Sequence, residues 1–260
     1  MQKSIHKIAL AGSGNIAWHL ADGLMLQGYQ ITRIWSREYS NALDLAEDCG
    51  SLACKNLIDL REDADMIIIA VADKAIEDVA RNIGNYDGIV VHTAGSISID
   101  VLQDIFKNYG VFYPLQTFTK GTPVELIEVP FFLESSSSEV MLEIKKVALK
   151  LSPKVYEVDS HQRMLLHVAA VFAGNYSNLM YTISNEICKN SGLPQEVLHP
   201  LILETARKAT SGDPLNMQTG PARRNDAITI EKHIETLASL PEYAELYRLL
   251  ATLISNKYKF

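Results

Sequence analysis

An apolar run at residues 8–11 gives way directly to Gly12-Ser13-Gly14-Asn15-Ile16-Ala17, and this junction constrains the fold more than any other feature of the chain. A buried strand that ends in G-x-G-x-x-A and opens into an amphipathic helix, with Ile16, Leu20 and Leu24 on one face, has the pattern of a dinucleotide-binding turn. Gly12 permits the tight turn, Gly14 lets backbone approach a pyrophosphate, and Ala17 is small enough for the helix to lie against the strand. The helix N-terminus, over Ser13, Asn15 and Ile16, offers an anion N–H groups that have no partner inside the helix. A second strand at residues 30–35 supplies the surrounding βαβ context. The alternative is a glycine-rich βα turn of purely structural use.

The chain has 260 residues, long for one domain and comfortable for two. A net charge of −7, without a basic stripe interleaved with aromatics, argues against a nucleic-acid partner. No apolar run is long enough to span a bilayer, and the first strand begins too early to leave room for a secretory signal. Cys49, Cys54 and Cys188 have neither a disulfide framework nor metal-ligand spacing, which points to small semi-buried thiols in the reducing cytosol. His161, His199 and His233 also lack metal spacing, so no metal is expected.

Short apolar segments at 7–11, 30–35, 66–71, 89–92, 110–113 and 128–133 alternate with helical patterns at 16–27, 38–49, 74–82 and 99–108. Such alternation predicts an α/β fold, a doubly wound parallel sheet of Rossmann type with helices on both faces. Ser136 with Glu139 fits a capping box and marks a further helix start. Beyond Pro153 no strand-like alternation is expected. One long helix runs over 160–190 (~45 Å at 1.5 Å per residue), closed by Gly192 and Pro194, and helices follow at 195–210, 228–239 and 242–254. The expected organisation is a cofactor-binding domain at 1–155 and an all-helical C-terminal domain at 156–260. The long helix is apolar on more than one side, so it calls for cover from a second subunit, and a homodimer is expected.

An enzyme that selects NAD commonly ends its second strand in Asp or Glu, which accepts from the ribose 2′-OH. Here that tip reads Ile34-Trp35-Ser36-Arg37. A hydroxyl and a guanidinium fork suit a 2′-phosphate, so the expected cofactor is NADP(H). The competing reading makes Ser36 a helix cap and Arg37 a solvated charge. Val71-Ala72-Asp73 and His92-Thr93-Ala94-Gly95-Ser96 close two further strands at the carboxyl edge, where ligands bind in such sheets. Small residues at these ends, Val71 and Ala72 among them, leave room for the nicotinamide ribose, and the Thr93 and Ser96 hydroxyls can hydrogen-bond it or the substrate. Asp73 reads as the N-cap of a helix starting at Lys74. His92 is either an acid facing the crevice or a clamp on a neighbouring loop.

These stretches, together with Tyr113-Pro114-Leu115-Gln116-Thr117-Phe118, His167–Asn175 and Thr219–Asp226, resemble the Rossmann-like proteins with a C-terminal DUF2520 domain, described as NADP oxidoreductases. The similarity covers essentially the whole chain. More distantly, the layout is similar to pyrroline-5-carboxylate reductase, ketopantoate reductase and the β-hydroxyacid dehydrogenases. The resemblance implies the fold and the cofactor class but no substrate. The chain departs from the pattern at Asn225, where glycine is expected, although Asn also tolerates positive φ.

The resemblance also frames the chemistry. The related dehydrogenases place a helix Lys one turn before an Asn; here the Asn is Asn175, and Val171 stands where the Lys would be. Either His167, two turns before Asn175, takes over as acid, or the substrate is an iminium that brings its own positive charge. Arg224, in the turn after Gly220-Pro221, suits a bidentate grip on a substrate carboxylate, unless it pairs with Asp226 to hold its own loop. The expected activity is NADPH-dependent reduction of a small imine or carbonyl, carboxylate-bearing, in a cleft between the two domains. The rival is a non-catalytic NADP(H)-binding sensor.

Overall fold

The computed structural model describes residues 4–258. Eight strands, β1 (Lys7–Ala11), β2 (Gln30–Trp35), β3 (Leu52–Cys54), β4 (Met66–Ile69), β5 (Ile89–His92), β6 (Tyr109–Pro114), β7 (Phe131–Ser135) and β8 (Val155–Glu157), form one sheet in the order β3-β2-β1-β4-β5-β6-β7-β8. Every pairing is parallel except β6 with β7. The order reverses between β1 and β4, and a crevice opens beyond the strand ends at such a switch point.

The central strands β1, β4 and β5 are apolar but for Lys7 and His92 at their ends, because both of their faces are covered. Ile8, Leu10, Met66 and Ile68 pack with α1 (Asn15–Leu26), α2 (Tyr39–Cys49) and α4 (Ser138–Leu151) on one face. Ala9, Ala11, Ile67 and Ile69 pack with α3 (Ile76–Ile83) on the other.

The chain groups into two compact units divided between Asn175 and Tyr176. α5 (Ser160–Ala170) belongs to the first. Its start is fixed by a capping box: Asp159 Oδ1 accepts from the Gln162 amide at 2.7 Å, and Gln162 Oε1 accepts from the Asp159 amide at 3.1 Å. The second unit comprises α6 (Ser177–Asn190), α7 (His199–Ser211), α8 (Pro214–Met217), α9 (Ala227–Thr236) and α10 (Pro241–Lys257). Among its described residues only Cys188, Ala222, Ile234 and Ala251 are buried apolar residues.

Several sequence expectations need correction. The helix expected over 160–190 is interrupted by a π-helical segment at Val171–Tyr176. The helix expected over 99–108 is one 3₁₀ turn, Ile99–Leu102, followed by turns. Ile99, Leu102 and Phe106 are buried at helical spacing, but Ser98 caps only that first turn, accepting from the Asp100 amide at 3.2 Å. β8 lies past Pro153, where no strand was expected. With three residues, two of them exposed, it is too short to show a period. α4 is capped by Ser137, which accepts from the Val140 amide at 3.3 Å, while Ser136 takes the Tyr109 amide at 3.1 Å. Asp73 caps no helix: α3 begins at Ile76, and the Asp73 carboxylate accepts instead from the Ser96 hydroxyl.

Candidate cofactor and substrate site

β1 delivers the chain to Gly12 with φ +129° and the Gly12 amide donating to the Trp35 carbonyl at 2.7 Å. A Cβ at Gly12 would stand 2.1 Å from the Ala70 carbonyl oxygen, so no larger residue fits. Gly14 is the N-cap of α1, and beyond its immediate chain neighbours nothing lies within 4 Å of the place its Cβ would take. α1 has no side-chain cap and no acidic residue in its first turn. Its positive end is therefore uncompensated by its own side chains, as an anion site requires.

At the tip of β2, Ser13 Oγ donates to Ser36 Oγ at 2.8 Å, joining the glycine turn to the second strand. Ser36 does not cap a helix: α2 begins at Tyr39 with Glu38 as its N-cap. The Arg37 side chain is 89% exposed, with Nε 3.9 Å from Glu38 Oε1, a loose pairing that leaves the guanidinium free to turn to another partner.

A cavity of about 890 Å³ is lined by Gly12, Ser13, Gly14, Asn15, Ile16, Ser36, Arg37, Val71, Ala72 and Asn175. Nine of the ten residues expected at the cofactor thus border one space with Asn175. The tenth, Thr93, is buried, with Oγ1 3.5 Å from the Ile69 carbonyl, and does not line it. Sequence reasoning did not assign Gln116, Thr117 and Phe118 to this wall. Their position depends on two contacts across a hundred residues: Asn15 Oδ1 accepts from the Lys120 amide at 3.1 Å, and His19 Nε2 meets the Thr119 carbonyl at 3.1 Å.

The remaining candidates lie in different surroundings. His92 is fully buried, and its Nδ1 accepts from the Ala94 amide at 3.2 Å, which holds the turn after β5. Burial, reinforced by the Arg163 charge, pushes its pKa down to about 3, so the ring is neutral. His167, half-buried on α5, has Nδ1 3.1 Å from the Tyr113 hydroxyl. Arg224 is exposed in the second unit, on the 3₁₀ turn Ala222–Arg224. That turn ends at Asn225 with φ +53°, the left-handed conformation in which Asn replaces glycine. Asp226 serves α9 as N-cap, accepting from the Thr229 amide at 3.1 Å.

Arg163, with a fully buried side chain, binds Glu134 and the Ile97 carbonyl and reaches Ser160 Oγ at 3.2 Å. Glu134 in turn accepts from the Ser160 amide at 3.0 Å and from its hydroxyl at 2.8 Å. This network ties α5, and with it His167, to β7. Among the described residues no group of three His, Cys, Asp or Glu is placed to hold a metal ion, and no helix is long and apolar enough to cross a membrane.

The residues present fit a dinucleotide: the Gly12 and Gly14 approach, the uncapped α1 terminus and the Ser36–Arg37 corner all border one cavity. Fold and turn together define a Rossmann-type nucleotide-binding protein. Residues 7–102 match the family described as NADP oxidoreductase, coenzyme F420-dependent, and residues 129–254 match DUF2520, a domain of unknown function. A Bacteroides fragilis structure named for NADP oxidoreductase activity is 39% identical, covering 97% of this chain and 98% of that one, with TM-score 0.92. The chain belongs to this family of NADP oxidoreductases with a DUF2520 domain, and its cofactor is NADP. A pyrroline-5-carboxylate reductase from Coxiella burnetii shares the fold at 18% identity and TM-score 0.58, each chain 98% covered. The L-aspartate dehydrogenase of Methanocaldococcus jannaschii is 25% identical over 113 residues, 40% of this chain, so the match spans only 42% of that relative's length.

Proposed function

We propose that this protein uses NADPH to reduce a small carboxylate-bearing imine or carbonyl compound. The observation that carries this reading is the single cavity bordered by the glycine turn, the Ser36–Arg37 corner and Asn175. When bound, NADPH supplies a hydride. In this reading the free amides of the α1 first turn hold the pyrophosphate, while Arg37 and Ser36 hold the 2′-phosphate. Asn175 orients the acceptor group beside the nicotinamide, His167 serves its heteroatom, and Arg224 grips the carboxylate. The reductase named above acts on a cyclic imine that carries a carboxylate, and a dehydrogenase of L-aspartate also works at a carbon–nitrogen bond; both support this substrate class.

We also infer a homodimer in which residues 156–260 provide both substrate contacts and the dimer interface. Leu165, Val168 and Phe172 recur at helical spacing and are all exposed, an apolar row that a second copy would cover. The free thiols Cys49, Cys54 and Cys188 suit a cytosolic setting.

The test is NADPH consumption across a panel of cyclic imines, 2-keto acids and aldehydes. Turnover is expected with a carboxylate-bearing member and is expected to vanish in Asn175→Ala. Stoichiometric NADPH binding without turnover anywhere in the panel would replace the enzyme with a nucleotide-binding sensor.

A further inference from the structure

We propose that Tyr113 and His167 form a proton relay, with Tyr113 holding the imidazole in the tautomer that presents Nε2–H to the substrate heteroatom. The inference deepens the reductase reading and rests on it. Tyr113 lies at the carboxyl end of β6, and its hydroxyl is 3.1 Å from His167 Nδ1. The two rings meet edge to face at 6.1 Å between centroids. They come together over Gly95, where a Cβ would stand 2.7 Å from His167 Nδ1 and 2.7 Å from Tyr113 Cζ. Any side chain at residue 95 would push the pair apart. The next residue, Ser96, donates to Asp73, so two polar pairs share the Gly95-Ser96 turn at the strand ends.

The three segments that meet at this turn each also supply a residue to the cofactor cavity. Asp73 follows Ala72, Tyr113 precedes Gln116 by three residues, and His167 precedes Asn175 by eight; Ala72, Gln116 and Asn175 all line the cavity.

The direction of the hydrogen bond follows from burial. Tyr113 is 7% exposed, and a buried phenol with one partner uses its proton there, because an unplaced O–H costs more than an unused lone pair. Nδ1 then accepts, and a neutral imidazole must carry its hydrogen on Nε2. Burial and the nearby Asp73 charge push the Tyr113 pKa up to about 12, with Arg163 opposing, so the phenol keeps its proton until a strong base calls for it.

The step balances. The hydride forms the new C–H bond, and the π pair of C=O or neutral C=N withdraws onto the heteroatom. That atom takes the Nε2 proton, and Nδ1 takes the Tyr113 proton. After product leaves, Nδ1 returns its proton to the phenolate and Nε2 takes a new one from water, with Arg163 easing the phenolate charge meanwhile. An alkoxide or amide anion is a far stronger base than a phenolate, so the transfer runs downhill. An iminium has no lone pair to receive Nε2–H, so the relay assigns the acceptor to the uncharged class. Tyr113 acts through His167 and is a positioning residue.

The test is ¹⁵N NMR of histidine-labelled protein, with His167 assigned through His167→Gln. Neutral His167 is expected as the Nε2–H tautomer, and Tyr113→Phe is expected to release it to a mixture. With the active panel member, Tyr113→Phe should lower kcat about 10- to 100-fold with KM for NADPH unchanged. The solvent isotope effect should fall from two protons in flight to one. Gly95→Ala is a second variant expected to loosen the tautomer. A wild-type Nδ1–H tautomer, or a Tyr113→Phe protein with unchanged tautomer and isotope effect, would overturn the relay while leaving the reductase reading intact. No turnover with any panel member while Tyr113 still fixes the tautomer would sink the reductase reading and the relay with it.

Discussion

Gly12 lies so close against Ala70 that a methyl group on it would stand 2.1 Å from the Ala70 carbonyl oxygen, and its φ of +129° is closed to other residues. Gly14, two residues on, has φ −75° and open space where a side chain would go. The glycines of one motif thus serve different ends, the first the packing of β1 against the end of β4, the second the ligand.

The two substitutions should therefore separate. Gly12→Ala combines a backbone clash with a strained φ, a cost of about 2–4 kcal/mol, and is expected to lower Tm by about 5–15 °C. Gly14→Ala should leave Tm nearly unchanged while NADPH affinity falls, because the new methyl group takes space that the pyrophosphate needs. Thermal melts with and without NADPH read both effects; a Gly14→Ala protein that still gains full thermal protection from NADPH contradicts the assignment.

Arg37 is the residue on which the choice of cofactor turns. Charge-assisted hydrogen bonds to a phosphate contribute about 1.5–3 kcal/mol, so Arg37→Glu is expected to weaken NADPH binding about 10- to 100-fold and NADH binding much less. Fluorescence titration with both cofactors measures the ratio. Equal losses for the two would mean that Arg37 does not read the 2′-phosphate.

The sheet was legible where its strands are short unbroken apolar runs: β1, β4 and β5 are buried on both faces, so chemistry alone marks them. β3 and β8 have three residues each and carry no period. Turns are ambiguous in the sequence where one polar side chain has two partners within reach. Ser136 and Asp73 both sit where a cap belongs, yet Ser136 serves β6 and Asp73 serves Ser96, choices made by tertiary neighbours. The glycine turn was legible because its chemistry is local. The Gln116–Phe118 wall was not, since its placement depends on Asn15 and His19 a hundred residues away. A separation of 54 residues likewise hid the Tyr113–His167 bond.

His92 should leave a signature in the acid limb of stability. Its folded pKa, held near 3 by burial and then by Arg163, is depressed below the ordinary histidine value. In the unfolded chain it takes up a proton at about pH 6.5, which the folded protein refuses. Its contribution is therefore fully present above that pH and is lost as pH falls from about 6.5 toward 3, at up to about 1.4 kcal/mol per pH unit. His92→Gln is expected to flatten this slope. Urea unfolding at several pH values between 7 and 4 measures it, and a slope unchanged by the substitution would show that His92 does not titrate on unfolding.

The apolar row on α5 and the π segment bears on assembly. Leu165 is 57% exposed, Val168 46% and Phe172 65%, at spacings that bring them onto one side of a helix. In a two-fold interface the same patch of each subunit faces the other, so carboxylates at both 165 and 172 bring like charges together across it. Like charges facing across an interface cost several kcal/mol, and Leu165→Glu with Phe172→Glu is expected to raise the dimer dissociation constant at least about 100-fold. Sedimentation equilibrium should show a wild-type dimer and a monomeric double variant. NADPH binding should survive in that monomer, because the residues proposed to hold the cofactor all belong to the unit that ends at Asn175. A wild-type monomer would remove the dimer, and a monomeric variant unable to bind NADPH would show that the partner subunit completes the cofactor site.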